Sequence, residues 1–273
     1  MTTNSASFDH PALPERPELL GTQIFDLTGR VALITGGGRG LGETFAYSLA
    51  AAGADIVVSS RTAGEIEQVA AEVRKMGRRA EAITCDITDE ASVEAMVSEA
   101  VARMGHLDIL VNNAGMNIRK PILEITLEEW QRVLDTNLKG YFLAGRAAGR
   151  VLVAQGHGKV INIGSIFVST ALPSQGPYAS SKGAIMNLTR VMALEWAKNG
   201  VQVNLLSPTY FETEMTRPVY ADPARKAFIE ERTPMGRWGQ PHELAGSLVF
   251  LASHASDFIT GQELLVDGGY TAW

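Results

Sequence analysis

With 273 residues, the chain is long enough for one α/β domain with a large buried core. Its hydrophobic share of 45% and the lack of a long apolar run exclude a protein built on membrane-spanning helices. The formal charge of −6 opposes nucleic acid as a partner, because phosphate binding needs clustered Lys and Arg. The single Cys85 excludes an internal disulfide framework and fits a reducing, cytoplasmic setting. The five His are scattered without metal-ligand spacing, so no metal is expected.

Residues 1–28 read as an N-terminal extension, polar and Pro-rich at its start and without the apolar stretch of a secretory signal. The rest, 29–273, alternates regularly. Short β-branched runs at 31–35, 55–59, 80–84, 108–111, 159–163, 201–206 and 263–266 predict seven strands. Longer stretches with helical periodicity lie between them. Strand–helix alternation predicts a parallel sheet covered on both faces, a doubly wound, Rossmann-like single α/β domain. Two helices, 127–154 and 178–198, carry more apolar surface than one core-facing stripe requires. They are either deep in the core or the contact surface of a homo-oligomer, a dimer or tetramer.

The first strand runs into Thr35-Gly36-Gly37-Gly38-Arg39-Gly40-Leu41-Gly42 and then a helix. Gly36, Gly40 and Gly42 allow a tight turn and close approach to a pyrophosphate, which the helix N-terminus can hold through free N–H groups. In this position the loop reads as a dinucleotide site rather than a plain turn. The second strand ends Ser59-Ser60-Arg61, without the carboxylate that accepts from an NAD ribose. Arg61 and Arg39 suit a 2′-phosphate, and Ser60 adds a neutral hydrogen bond. Two cations with no opposing anion favour NADP(H), with NAD(H) as the alternative; the two arginines are otherwise solvated loop residues. After the third strand, Asp86-Ile87 can meet the adenine, although Asp86 or Asp89 can instead cap the next helix.

Ser165 ends the fifth strand, and Tyr178-Ala179-Ser180-Ser181-Lys182 follows thirteen residues on. Four residues apart on a helix, Tyr178 and Lys182 share a face. A phenol with a pKa of about 10 is a poor base near neutrality. A neighbouring ammonium is expected to lower it and make Tyr178 a general acid/base. Ser165 can then hold the substrate oxygen while the cofactor moves a hydride.

Together with Asn112-Asn113-Ala114-Gly115, Asn137 and Pro208…Thr213, these motifs resemble the single-domain branch of the short-chain dehydrogenase/reductases, over residues 26–269. The resemblance implies that Asn113, Ala114 and Gly115 line the adenine and ribose side. It implies that Asn137 holds a water relaying protons from Lys182. Pro208 and Thr213 would lie by the nicotinamide. One departure is Thr209, where the family usually has Gly.

Several segments are similar to the gluconate 5-dehydrogenase-like reductases: Phe25-Asp26-Leu27-Thr28-Gly29-Arg30, Ile118-Arg119-Lys120-Pro121, Tyr210-Phe211-Glu212-Thr213-Glu214-Met215, and Arg232-Thr233-Pro234 with Arg237-Trp238-Gly239. That subgroup reduces keto groups of sugar acids and leans to NADP(H). Arg119 is therefore expected to pair with a substrate carboxylate, by the fork geometry of a guanidinium. It is otherwise a solvated loop residue or an intersubunit contact. Phe167, Gln175 and Tyr210 are expected to wall the substrate pocket beside Ser165 and Tyr178. Their aromatic character also suits a 3-oxoacyl thioester or a bulkier cyclic or aryl ketone. A catalytically silent nucleotide-binding regulator would share the scaffold but has no use for the Ser165/Tyr178/Lys182/Asn137 set.

Overall fold

The structure is a computed structural model and describes residues 21–272. The stretch 1–20 of the expected extension lies outside the described residues. Within 21–28, Thr22–Phe25 form a short 3-10 turn, and Leu27 is buried in the core with its N–H on Ala52 O at 2.8 Å.

Seven parallel strands form one sheet in the order β3-β2-β1-β4-β5-β6-β7. They are β1 (Val31–Thr35), β2 (Asp55–Ser60), β3 (Ala80–Thr84), β4 (Ile109–Asn112), β5 (Gly158–Ile163), β6 (Val201–Pro208) and β7 (Glu263–Val266). Every residue of β1, β4 and β5 is buried, as expected for central strands covered on both faces. The alternating side chains of β1 feed two cores. Ala32 and Ile34 pack with Phe45 and Leu49 of α1 (Gly40–Ala51), Ile66 and Val69 of α2 (Ala63–Lys75), and Leu248 of α9 (Ala245–Ala252). Val31 and Leu33 pack with Val93 and Met96 of α3 (Glu90–Met104) and Ala144 and Ala148 of α5 (Gly140–Gln155). Between β6 and β7, α7 (Arg217–Tyr220) and α8 (Pro223–Arg232) stand outside the layers.

The long helix expected over 127–154 is interrupted. It divides into α4 (Leu127–Leu134), a π-helical turn (Asp135–Lys139) and α5. A π turn inserts an extra residue and re-aims the side chains it carries, a geometry common at functional sites. Here it carries Asn137. The second long helix, α6 (Gly176–Trp196), starts with Pro177 in its first turn, where a missing N–H costs nothing. Its apolar surplus has two destinations. Ile185 and Met192 are buried, whereas Val191 and Leu194 are 50% and 81% exposed. Among the described residues, no helix is long and apolar enough to cross a membrane.

Candidate active site

The strand order reverses between β1 and β4, the place where an open α/β sheet leaves a crevice at its carboxyl end. A cleft of about 1500 Å³ opens there. The loop between β1 and α1 forms its floor. Gly36 and Gly40 take left-handed φ values of 63° and 58°. Gly42 is required for another reason: a Cβ would lie 2.1 Å from Gly36 O. Arg39 stands at the N-cap of α1 without a side-chain cap. The amides of Gly40, Leu41 and Gly42 at the start of α1 thus lie where a pyrophosphate can accept from them. The cradle fits a dinucleotide.

Asn113, one residue past the end of β4, braces that cradle. Its Nδ2 donates to Thr35 O and Gly36 O at 3.0 and 3.1 Å, and its N–H donates to Thr35 Oγ1 at 3.0 Å. Ala114 N–H also donates to Thr35 Oγ1, at 3.1 Å, and Ala114 and Gly115 line the cleft. On the far side, Asp86 and Ile87 line the cleft after β3. Asp89, not Asp86, caps α3, accepting from Ala91 N–H at 3.2 Å. Asp86 Oδ1 accepts from Thr88 N–H and Oγ1 at 2.9 and 2.8 Å. The Thr88 backbone bond is the main reason its carboxyl is held below the usual range, with Arg61 adding to it.

The corner at the end of β2 holds Ser60 and Arg61 beside Gly38 and Arg39. One expectation is corrected there: Arg39 does not stand without opposing anions. Arg39 Nη1 lies 3.7 Å from Glu65 Oε1 and 3.3 Å from Glu214 Oε2. The first turn of α2 and the turn after Thr213 bring these carboxylates in from distant sequence.

Three of the four expected catalytic side chains, Ser165, Tyr178 and Lys182, line the cleft. Ser165 follows β5, and its Oγ accepts from Phe167 N–H at 3.3 Å. Tyr178 and Lys182 project into it from α6. Lys182 Nζ donates to Ile163 O at 2.6 Å and Tyr141 OH at 3.4 Å, and lies 5.6 Å from the Tyr178 ring centre. Asn137, fully buried, is fixed by a two-way pairing. Its Oδ1 accepts from Met116 N–H at 2.8 Å and its Nδ2 donates to Met116 O at 2.9 Å. Nδ2 also reaches Ser181 Oγ at 3.2 Å, one residue from Lys182.

The electrostatics overturn the expectation that a cationic Lys182 lowers the Tyr178 pKa. Burial pushes the phenol up, while Ser165 and the charge of Arg119 act in the lowering sense. Burial also pushes Lys182 down to about 7. Loss of hydration is the first cause for Tyr178 and the one cause for Lys182.

Lys182 accordingly gives a pH signature. Its folded pKa lies below the ordinary 10.5. Between these values the unfolded chain binds more protons, so stability rises with pH. The slope is at most about 1.4 kcal/mol per pH unit. In the cofactor-free protein, the stability of wild type relative to Lys182→Met should gain about 2 kcal/mol from pH 7.5 to 9.5. Urea denaturation measures it, and a constant difference contradicts the assignment.

The expected substrate residues divide. Arg119, Ser165 and Tyr178 line the cleft. Phe167, Gln175 and Tyr210 are buried behind that lining. Phe167 meets Tyr178 and Tyr210 edge-on at 6.1 and 6.5 Å, and Trp238 continues the stack at 5.1 Å. These rings fix the position of the Tyr178 phenol. Gln175 reaches the cleft through Asn117, whose Nδ2 donates to its Oε1 at 2.6 Å. Asn117 was missed in the sequence, although it stands two residues before Arg119 on the same loop. Pro208, Thr209 and Thr213 line the cleft, and Thr213 N–H donates to Thr216 Oγ1 at 3.0 Å.

The sequence model of the enoyl-(acyl carrier protein) reductase family matches residues 36–271. Gluconate 5-dehydrogenase of Gluconobacter oxydans is 42% identical over 248 residues, covering 91% of this chain and 97% of that protein. The 2-dehydro-3-deoxy-D-gluconate 5-dehydrogenase of Escherichia coli is 43% identical, covering 91% and 98%. A crystal structure of a gluconate 5-dehydrogenase from Burkholderia cenocepacia, in complex with NADP and tartrate, superimposes with a TM-score of 0.90. It is 45% identical, covering 92% of this chain and 98% of that one. A matched family model over most of the chain, relatives above 40% identity and a shared fold agree: the chain belongs to the short-chain dehydrogenase/reductase family.

Proposed function

We propose that the chain is an NADP(H)-dependent oxidoreductase that interconverts a keto-sugar acid and its secondary alcohol, with Tyr178 as general acid/base. One observation carries this reading. Ser165, Tyr178 and Lys182 stand on one wall of the cleft floored by the glycine loop, with Arg119 close enough to act on the phenol. The gluconate dehydrogenase relatives and the NADP bound in the Burkholderia structure support the substrate class and the cofactor.

The nicotinamide, when bound, supplies or takes the hydride. In the reducing direction Ser165 donates a hydrogen bond to the ketone oxygen. Tyr178 transfers its proton to that oxygen as the alcohol forms. Burial keeps the phenol protonated at neutral pH, the state an acid needs. Lys182, with a pKa of about 7, exchanges protons readily near neutrality and restores the phenol. Asn137 is clamped on Met116, and the family resemblance implies that it would hold a water linking Lys182 to solvent. Arg119 receives the carboxylate, and Asn117 is placed to read hydroxyls along the chain of the acid.

Arg61 tests the cofactor half of the reading. Arg61→Ala should raise the KM for NADPH by about tenfold and that for NADH by less than about twofold. Equal effects on both reject a 2′-phosphate contact.

The exposed Phe142, Val191 and Leu194 on α5 and α6 support self-association into a homo-oligomer, a tetramer or dimer. A monomer in sedimentation contradicts it. A single buried free thiol, Cys85, supports a cytoplasmic location; a localisation assay in living cells tests it, and export of the full chain contradicts it.

A further inference from the structure

We propose that Glu65 is a specificity-determining residue, which limits the preference for a 2′-phosphorylated dinucleotide by holding Arg39 and opposing the phosphate. The inference rests on the reading that the Ser60–Arg61 corner takes the ribose. Glu65 lies in the first turn of α2 and lines the cleft with Gly38, Arg39, Ser60, Arg61 and Thr62. Its carboxylate lies over the glycine loop: a Cβ on Gly38 would come within 3.2 Å of Glu65 Oε2. The other oxygen faces Arg39 Nη1 at 3.7 Å. Glu65 side-chain exposure is 36%, so solvent only partly screens it from the cleft.

Two consequences follow from its charge. Arg39 must leave a carboxylate before it can meet a phosphate, so part of its attraction is already taken up. The carboxylate that remains, fixed by its helix, then faces a second anion in the same corner. A ribose with a free 2′-hydroxyl meets neither cost, and a carboxylate can accept from that hydroxyl. Glu65 therefore keeps the unphosphorylated cofactor competitive in a site whose arginines favour the phosphorylated one. Glu214 also pairs with Arg39, at 3.3 Å, but it belongs to the irregular turn after Thr213. Glu65 is the anion built into the ribose corner.

The test is calorimetric binding of two fragments to the cofactor-free protein: adenosine 2′,5′-bisphosphate and 5′-AMP. Glu65→Gln should tighten the bisphosphate by roughly three- to tenfold and change 5′-AMP by less than about twofold. The gain should shrink at high salt, as screening shortens. A merely structural role in starting α2 would move both fragments alike, and that result overturns the proposal. So does an unchanged ratio. Arg61→Ala separates the two levels of the reading. If Arg61→Ala weakens the bisphosphate selectively but Glu65→Gln changes nothing, the inference alone falls. If wild type binds both fragments equally and Arg61→Ala has no effect, the phosphate is not read in this corner and both fall.

Discussion

Tyr178→Phe reduces ketone turnover by two to four orders of magnitude, on the order expected for loss of a positioned general acid. The dissociation constant for NADPH changes by less than about threefold, since uniform cofactor binding does not depend on the acid. The substitution is narrow. The ring remains, so its edge-on contact with Phe167 and its place in the wall are kept. Only the hydroxyl beside Ser165 is removed. Without it, a hydride reaching the carbonyl carbon leaves an alkoxide that no neighbouring side chain protonates directly. Lys182 cannot replace it, because its Nζ is held on Ile163 O at 2.6 Å. Stopped-flow turnover with fluorescence titration of NADPH measures both quantities. A variant within about tenfold of wild type would place the proton donor elsewhere.

Arg119→Met raises the KM for a keto-sugar acid by ten- to hundredfold, about 1.5–3 kcal/mol for a charge-assisted hydrogen bond. Its kcat changes little, because the carboxylate is held equally in ground and transition states. The guanidinium is available for this role. Its two Nη atoms both reach Met215 O, at a long 3.5 Å, and its Nε is buried without a hydrogen-bond partner. A carboxylate offers the fork that a single carbonyl lacks. Arg119 also lowers the Tyr178 pKa, so the variant should shift the alkaline limb of the rate profile upward. Equal losses on an uncharged ketone of similar length would make Arg119 a structural residue of the loop.

The features legible in the sequence are those set by near neighbours. Buried parallel strands read as apolar runs, so all seven were found, with ends shifted by a residue or two at β2, β4, β5 and β6. The glycine loop was legible because Gly36, Gly40 and Gly42 answer local steric demands. Tyr178 and Lys182 were legible because four residues on a helix share a face. What the sequence hid depends on distant segments meeting. Arg39 meets Glu65 and Glu214 only once α2 and the turn after β6 are in place. The π turn carries Asn137, whose amide pairs with Met116 from the loop after β4. Phe167, Gln175 and Tyr210 are near the site in sequence terms, yet they pack behind its lining. The direction of the Tyr178 shift depends on how dry the wall is, which spacing does not report.

The most direct test of the account is the rate of NADPH oxidation with a 5-keto-hexonic acid against its uncharged methyl ester and a 3-oxoacyl thioester. The geometry of Tyr178, Ser165 and Arg119 predicts turnover of the free acid with a kcat/KM at least about tenfold above the ester and the thioester. Comparable rates on all three, or turnover of the thioester alone, would contradict it.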